Sequence, residues 1–303
     1  MLLGYITVIV AYLIWGAAPP IFKWALQDIP PFALAFIRFA GASIIFLPFL
    51  FKQDRRKVHV SDWKHIVLGG LWGVAINVGA FFIGLEFAPS INVHIINSMS
   101  PLLLYMLSIY ILKEKPHAQI VKGMLIACVG VLIIVLAPLF DGAKSSLVGP
   151  VAPEMVFLGN MLFVAAVVGG VLITVHNKLV SKKISPFFIT EVQFIVGALV
   201  FLPFMLVEQG NFNIATLTMQ GWIGIVFGMV FSSALAYAAM NYGIQKIPAQ
   251  DIGVLTYMMP VVAVLVAIPL LGEVPDIFFV IGTVVVAIGI VISERRKRFG
   301  RKT

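Results

Sequence analysis

The sequence predicts an all-α integral membrane protein whose ten transmembrane helices form two copies of a five-helix unit in opposite orientations. Three observations support this fold class. The chain is 61% hydrophobic and 11% charged, whereas soluble domains hold about 25% charged residues. Its apolar residues fall into ten runs, each of about the length that crosses a bilayer. The segment 29–49 also nearly recurs as the segment 184–204.

The apolar runs give the positions of the predicted helices. A bilayer core about 30 Å thick needs roughly 20 helical residues, whereas a barrel strand would be about ten residues long with alternating polarity. The first run has no basic stretch before it and no small-residue cleavage site, so we expect it to be retained as helix 1 and not removed as a signal peptide. Predicted helices 1 to 10 lie near residues 4–24, 32–51, 65–85, 90–112, 118–138, 155–177, 187–207, 220–242, 249–271 and 277–293.

The distribution of Lys and Arg predicts the orientation of these helices, because cytoplasmic loops are enriched in both. With a cytoplasmic N-terminus, most of the 21 Lys and Arg residues lie in cytoplasmic connectors and in the basic tail 294–303. Lys23 and Lys144 then lie on the outer side, and Arg38 lies within helix 2. We therefore expect a multi-pass protein of a bacterial-type inner (plasma) membrane with both termini cytoplasmic, and we expect no nucleic-acid binding.

The internal repeat extends along most of the chain. A shift of 155 residues leaves 8 of 21 positions identical between the two recurring segments, and a shift of 159 aligns the later helices. Apolar composition alone does not explain identical Trp, Pro, Gly and Glu residues at positions related by one fixed shift. The predicted domains are a first repeat at 4–138, an outer connector at 139–154 and a second repeat at 155–293. Matched pairs include Pro31/Pro186, Phe39/Phe194, Trp63/Trp222, Gly84/Gly243, Pro101/Pro260, Glu114/Glu273, Gly123/Gly282 and Gly130/Gly289.

Each repeat holds five helices, an odd number, so the second copy enters the membrane from the opposite side. Such inverted repeats are the architecture of secondary transporters, in which the binding site lies near the midplane between the halves. Glycines at equivalent places in helices 5 and 10 allow close helix packing. They predict a contact either between the halves or between two copies of the chain, so a homodimer stays an alternative.

These features also resemble the EamA-type transporters of the drug/metabolite transporter superfamily. The similar segments are "LIWGAAPPIFKWAL" in helix 1 and "APSINVHIINSMSPLL" with "ILKE" in helix 4, echoed by "IPAQDIGVLTYMMPVV" with "LLGE" in helix 9. The small-x-Glu ending is intact at Leu271-Gly272-Glu273 and altered at Leu112-Lys113-Glu114. The resemblance covers nearly the whole chain and implies export or exchange of small metabolites, commonly amino acids. It further implies a cavity lined mainly by helices 1, 3, 4, 6, 8 and 9.

Polar residues in helices 4 and 9 are the first candidates for substrate binding, because polar groups inside a membrane are costly. His94, Asn97 and Ser98 share one face of helix 4 just before Pro101, and Thr256 and Tyr257 precede Pro260 in helix 9. A mid-membrane proline removes a backbone donor and breaks the helix, which places these side chains beside a cavity. Hydrogen bonding between helices is the alternative.

The remaining binding candidates lie in helices 1, 3 and 8. Ser233 and Tyr237 share one stripe of helix 8, and Asn77 lies in helix 3. Trp15 lies in the segment of helix 1 that resembles the family, followed by Pro19 as a further helix-break candidate. An aromatic stripe on helix 1 is also consistent with plain packing.

Charged residues within or beside the helices are predicted to act as gate or structural charges: Arg38, Glu114 and Glu273. Arg38 lies about two turns from the outer end of helix 2, close enough for its guanidinium to reach outward to carbonyls or to Glu86. Direct attraction of a substrate carboxylate is the alternative for Arg38. Glu114 and Glu273 end helices 4 and 9 and are expected at the boundary.

The acidic residues limit the coupling mechanism. Glu191 in helix 7 and Asp251 at the start of helix 9 are the acids that could titrate within the membrane, and we expect Glu191 at a packing or lipid-boundary position. No central acid pair is present, so facilitated diffusion or exchange competes with proton antiport, and His94 is the better pH-sensitive candidate.

The expected substrate is an amino acid or a similar zwitterionic or neutral amphiphile, because the candidates include no central carboxylate for a cation and no deep Lys/Arg pair for a phosphate. A sugar-phosphate or nucleotide-sugar exchanger is the alternative, and a lipid scramblase is the alternative from another class. The single Cys128 and the absence of an H-E-x-x-H motif predict no disulfide, no metal, no cofactor and no enzyme activity.

Overall fold

The structure is a computed structural model that describes residues 1–112, 118–141, 151–180, 182, 184–208, 213–247, 251–252 and 255–299. Glu114, Lys144, most of the predicted connector 139–154 and the end of the basic tail lie outside the described residues. Within them every regular element is helical. The helices are α1 (Leu2–Ala25), α2 (Pro31–Lys52), α3 (Val60–Phe87), α4a (Asn92–Asn97), α4b (Ser100–Leu112), α5 (Ala118–Asp141), α6 (Pro153–Leu179), α7 (Pro186–Glu208), α8 (Met219–Gly243), α9 (Met258–Leu271) and α10 (Ile277–Phe299).

Local sequence explains where several helices begin and end. Proline occupies the first residue of α2 and of α6, where its missing N–H costs nothing. Asp62 accepts from the backbone N–H of His59 in a capping box that starts α3. At the other end of the chain, α9 stops at Gly272, whose φ of 65° is a left-handed conformation that glycine adopts without strain.

The predicted multi-pass helical membrane protein is confirmed by these elements. Seven helices of the described chain (α1, α2, α3, α5, α6, α7 and α8) are long and apolar enough to cross a membrane. The predicted helix 4 is instead divided into α4a and α4b, and the described continuous part of helix 9 starts only at Met258. Ten complete spans therefore stay a prediction.

Helices α2 and α7 pack against each other through phenylalanines in a reciprocal pattern. Phe39 and Phe194, matched by the shift of 155, lie with ring centroids 5.6 Å apart. Phe39 also contacts Phe201 at 6.1 Å, and Phe46, the counterpart of Phe201, contacts Phe194 at 5.4 Å. Each of these ring contacts is thus repeated by the matching residues of the other segment. The same repetition relates Phe32–Phe204 at 5.0 Å to Phe49–Phe187 at 4.7 Å.

Helices α5 and α10 show a second reciprocal contact, made by glycine backbones. A Cβ added to Gly123 would lie 2.5 Å from the carbonyl oxygen of Gly289, and one added to Gly130 would lie 2.6 Å from that of Gly282. Gly123 therefore contacts the counterpart of Gly130, and Gly130 contacts the counterpart of Gly123. The structure assigns these glycines to a contact within one chain, which decides between the two packing interpretations of the sequence.

Candidate functional site

Two helices carry π-helical segments, Leu71–Ile76 in α3 and Phe227–Leu235 in α8. The shift of 159 places the first segment on residues 230–235, inside the second. Such wide turns are rare, occur often at functional sites and free backbone carbonyls. One of these carbonyls, that of Ser232, accepts a hydrogen bond from Trp15 Nε1 at 2.9 Å. The π-helical segment of α8 therefore contacts α1.

The chain is also interrupted between α4a and α4b, at Ser98 and Met99. Pro101 is the second residue of α4b, so it begins a helix instead of kinking one. Pro260 has a similar place in α9, where it is the third residue. The turn that precedes this helix ends at Tyr257. In contrast, α1 continues through Pro19 and Pro20, so Pro19 does not interrupt its helix.

The two interruptions border a cavity of about 1040 Å³. Asn177 and Lys178 are exposed at one end of the bundle, which we call the open end. The described lining combines hydroxyl, amide and imidazole groups with apolar side chains and one cation, and it includes no carboxylate. The polar lining residues are Tyr12, His94, Asn97, Ser98, Ser100, Tyr105, Thr174, Asn177, Lys178, Thr256, Tyr257 and Ser293.

Five of the candidates taken from the sequence come together in this lining: His94, Asn97, Ser98, Thr256 and Tyr257. The halves meet here through side chains, because Thr256 Oγ1 donates to the hydroxyl of Tyr12 at 2.7 Å. A ring nitrogen of His94 lies 3.3 Å from the carbonyl oxygen of Gly16. Both contacts tie the broken helices to α1.

The other four binding candidates, Trp15, Asn77, Ser233 and Tyr237, lie outside the described lining. The rings of Trp15 and Tyr237 meet edge to face at 5.2 Å, and Tyr237 meets Phe194 in the same way at 5.2 Å. Asn77 donates to the carbonyl of Ala166 at 2.5 Å. Of these four, Ser233 is buried, and Trp15, Asn77 and Tyr237 are half-buried.

The resemblance implied that helix 6 lines the cavity, but sequence reasoning missed the residues by which α6 contributes. Thr174, Asn177 and Lys178 lie at i, i+3 and i+4 on that helix, a spacing that already indicates one face. Lys178 is also the counterpart of Lys23 under the shift of 155. The repeat was therefore the signal that could have found it.

Arg38 is buried, with 6% of its surface exposed. Its Nε donates to Ser233 Oγ at 2.7 Å, and its guanidinium lies 5.1 Å from the ring of Phe22 and 4.9 Å from that of Phe39. The expectation that Arg38 reaches outward to Glu86 is therefore wrong, because Ser233 offers a nearer partner across the half boundary. Arg38 braces α2 against α8.

The end of the bundle opposite the cavity mouth, here the closed end, is held by Lys23 and Glu273. Their side chains lie 2.9 Å apart and are 3% and 8% exposed. Lys23 also donates to the carbonyl of Ala88 at 2.7 Å, and Glu273 accepts from the backbone N–H and hydroxyl of Ser90 at 2.8 and 2.7 Å. Glu273 thus joins the end of α9 to α1 and to the turn before α4a.

Two further carboxylates tie the halves together at the closed end. Glu208 at the end of α7 accepts from the backbone N–H of Ala33 at 2.8 Å, and Asp28 after α1 accepts from that of Thr218 at 2.7 Å. Both acids lie at the N-terminus of a helix of the other half, where the helix dipole favours negative charge. Three carboxylates, Glu273, Glu208 and Asp28, therefore link helices at the closed end.

Comparison with known proteins gives consistent matches along the chain. The profile of the EamA-like transporter family matches residues 2–136 and 157–294. The chain is 30% identical over 297 residues to the uncharacterized transporter YetK of Bacillus subtilis (strain 168), covering 97% of this chain and 88% of the relative. It is 24% identical to an uncharacterized transporter of Archaeoglobus fulgidus, covering 94% and 95% of the two chains. A solved crystal structure with 19% identity aligns with a TM-score of 0.62 over 99% of both chains, which shows a shared fold.

Proposed function

Since the chain belongs to the EamA-like transporter family, we propose that it is a secondary transporter that exports or exchanges a small metabolite by alternating access. The observation that carries this proposal is the cavity between the halves, open at one end and fastened at the other by Lys23 and Glu273. A carrier has to close one end while the other is open. We take the open end as cytoplasmic, following the distribution of Lys and Arg.

The chemistry of the lining favours an amino acid or a similar zwitterionic or neutral amphiphile as the substrate. The described lining offers hydroxyl and amide groups for hydrogen bonds, together with the rings of Tyr12, Tyr105 and Tyr257 for an apolar part. Lys178 could attract a carboxylate at the mouth. No carboxylate of the described lining is available to a permanently cationic substrate.

The placement of the cations argues against the sugar-phosphate alternative. A phosphate would need a deep Lys/Arg pair. Lys23 is engaged by Glu273 at the closed end, and Arg38 by Ser233 in the interior. Neither belongs to the described lining of the cavity.

An inverted repeat of two five-helix halves is part of the proposal. Support comes from the reciprocal contacts of α2 with α7 and of α5 with α10, and from the related positions of the π-helical segments. The two ranges matched by the family profile, 2–136 and 157–294, point the same way. Two similar halves in opposite orientations can exchange conformations, which would move the opening from one side to the other.

If the two halves exchange conformations, a specific proposal follows for Lys178. Its counterpart Lys23 is buried in the closed end, whereas Lys178 is exposed at the open end. When the open end closes, Lys178 should enter the setting that Lys23 now has. The repeat makes Glu114 the counterpart of Glu273, and Glu114 lies outside the described residues.

Counterflow into proteoliposomes tests the function. Vesicles containing the purified protein and loaded with unlabelled neutral amino acids should take up the labelled compound, whereas sugar phosphates and polyamines should give no uptake. Thr256→Val removes the hydroxyl that bonds Tyr12 and should slow counterflow. Thr283→Val is the matched control, because the buried Thr283 hydroxyl in α10 has no hydrogen-bond partner and does not line the cavity. Counterflow of sugar phosphates alone would overturn the proposed substrate class.

A further inference from the structure

Glu191 in α7 is a completely buried acid that the proposed transport cycle does not use. It is 0% exposed, so of the two expected positions, packing or lipid boundary, the structure shows packing. One oxygen, Oε1, lies 2.8 Å from the hydroxyl of Ser43 in α2. The other oxygen, Oε2, is buried with no hydrogen-bond partner. The acid therefore lies within the α2–α7 contact between the halves.

The charged groups on the helices around Glu191 are engaged elsewhere or lie exposed. Lys52 of α2 lies over the ring of Phe49, and Lys64 of α3 is exposed. On α2, Arg38 bonds to Ser233. On α3, Asp62 accepts from His59, and the ring of His65 pairs with that of His176 on α6 at 3.0 Å. The neighbours of Glu191 on its own helix bond to neutral side chains: Thr190 accepts from Asn241 of α8, and Gln193 donates to Asn177 of α6. Among the described residues no cation forms an ion pair with Glu191.

These surroundings decide the protonation of Glu191 in this conformation. An ionised carboxylate without a partner is far more costly to bury than a neutral acid. The Ser43 hydroxyl donates to Oε1, so in the neutral acid Oε1 is the carbonyl oxygen and Oε2 carries the proton. Glu191 therefore holds a proton while the cavity is open at the Lys178 end.

The repeat indicates how these surroundings change when the cavity changes sides. The counterpart of Glu191 under the shift of 155 is Phe36 in α2, which is only half-buried. If the halves exchange conformations, Glu191 enters the less enclosed setting that Phe36 now has. There an ionised carboxylate costs less to accommodate, so the proton is bound less tightly.

We propose that Glu191 is a proton-binding site whose occupancy controls which side of the membrane the cavity opens to. This inference rests on the proposed alternating access. The proton is bound more tightly in the conformation described here, so acid favours this conformation and alkali favours the other. Binding of one proton can change the ratio of the two conformations by at most about tenfold per pH unit.

Cys128 is the reporter for the test, because it is the single cysteine of the chain and lines the cavity. Its labelling rate by a maleimide should follow the population of this conformation. Between about pH 6 and about pH 9, the rate for the wild-type protein divided by that for Glu191→Gln should fall, since the amide stays neutral at every pH. The division removes the pH dependence of the thiol itself. A ratio that does not change with pH overturns the proposal.

A second measurement detects the proton directly and needs no transport. The infrared difference between the wild-type protein and Glu191→Gln near neutral pH should contain the carbonyl stretch of a protonated carboxyl group. Glu154→Gln, at an exposed acid that begins α6, should give no such band. Absence of the band overturns the proton site even if counterflow is observed, whereas its presence without any counterflow would count against the transport function alone.

Discussion

The ammonium of Lys23 and the carboxylate of Glu273 lie 2.9 Å apart across the boundary between the halves, and both are almost fully buried. Every oxygen of Glu273 and the ammonium of Lys23 has a further partner in the turn from Ala88 to Ile91. Lys178, the counterpart of Lys23, is exposed beside the cavity. Of two lysines matched by the shift of 155, one is therefore ion-paired and buried, and the other is exposed beside the cavity.

Glu273→Gln should depopulate the described conformation. Removing one partner of a buried pair leaves an uncompensated charge on Lys23, at a cost of about 3–5 kcal/mol. The double variant with Lys23→Met should recover much of that loss, which a double-mutant cycle on thermal stability measures. Asp54→Asn is the control, since the exposed Lys57–Asp54 pair contributes less than about 1 kcal/mol. Equal effects of Glu273→Gln and Asp54→Asn would contradict the assignment of a closing contact.

Lys178→Gln should slow the transport cycle by about tenfold, because the proposed closing contact at the open end would lose its charge. The folded structure in the open conformation should be unaffected, since Lys178 is exposed there. Turnover in counterflow is the measurement, with Lys182→Gln in the neighbouring connector as the matched control. If both variants behave as the wild-type protein does, Lys178 takes no part in closure.

Arg38→Met should leave the thermal stability unchanged or slightly higher. A buried charge without a carboxylate partner gains little from its site, and an apolar side chain of similar size fills the same space. Transport with an unchanged KM would support the bracing role of Arg38 between α2 and α8. A KM raised about tenfold or more at equal stability would instead identify Arg38 as the anchor of a substrate carboxylate.

Gly123→Ala should destabilise the protein by roughly 1–3 kcal/mol, because the new methyl group meets the backbone of α10 at 2.5 Å and backbone cannot give way easily. Gly79→Ala is the matched control in α3. Its added methyl group would have the Phe201 ring at 3.4 Å as its nearest neighbour, an ordinary contact. Melting temperatures of the two purified variants in one detergent make the comparison. Equal melting would argue against the close α5–α10 contact.

The multi-pass helical fold followed from the sequence because hydropathy depends on runs of residues. Side-chain partners did not follow. Arg38 and Ser233 are 195 residues apart, so nothing in the local pattern showed that Ser233 would displace Glu86 as partner. The repeat mate Phe36 left Glu191 open between a packing and a lipid-boundary position, and the structure shows packing.

Local sequence patterns located part of the cavity lining. His94 and Thr256 were found because each precedes a proline, a signal carried by the sequence itself. Trp15 and Tyr237 were grouped with them, yet they lie outside the described lining, because which face of α1 or α8 meets the cavity depends on how the helices cross.

Sided labelling of Cys128 tests the central claim most directly, since this single thiol lines the cavity between the halves. A membrane-impermeant maleimide should label Cys128 much faster in inverted membrane vesicles than in right-side-out vesicles, and a transported substrate should slow the labelling. Faster labelling in right-side-out vesicles would contradict a cavity open to the cytoplasm and closed by Lys23 and Glu273 at the outer face.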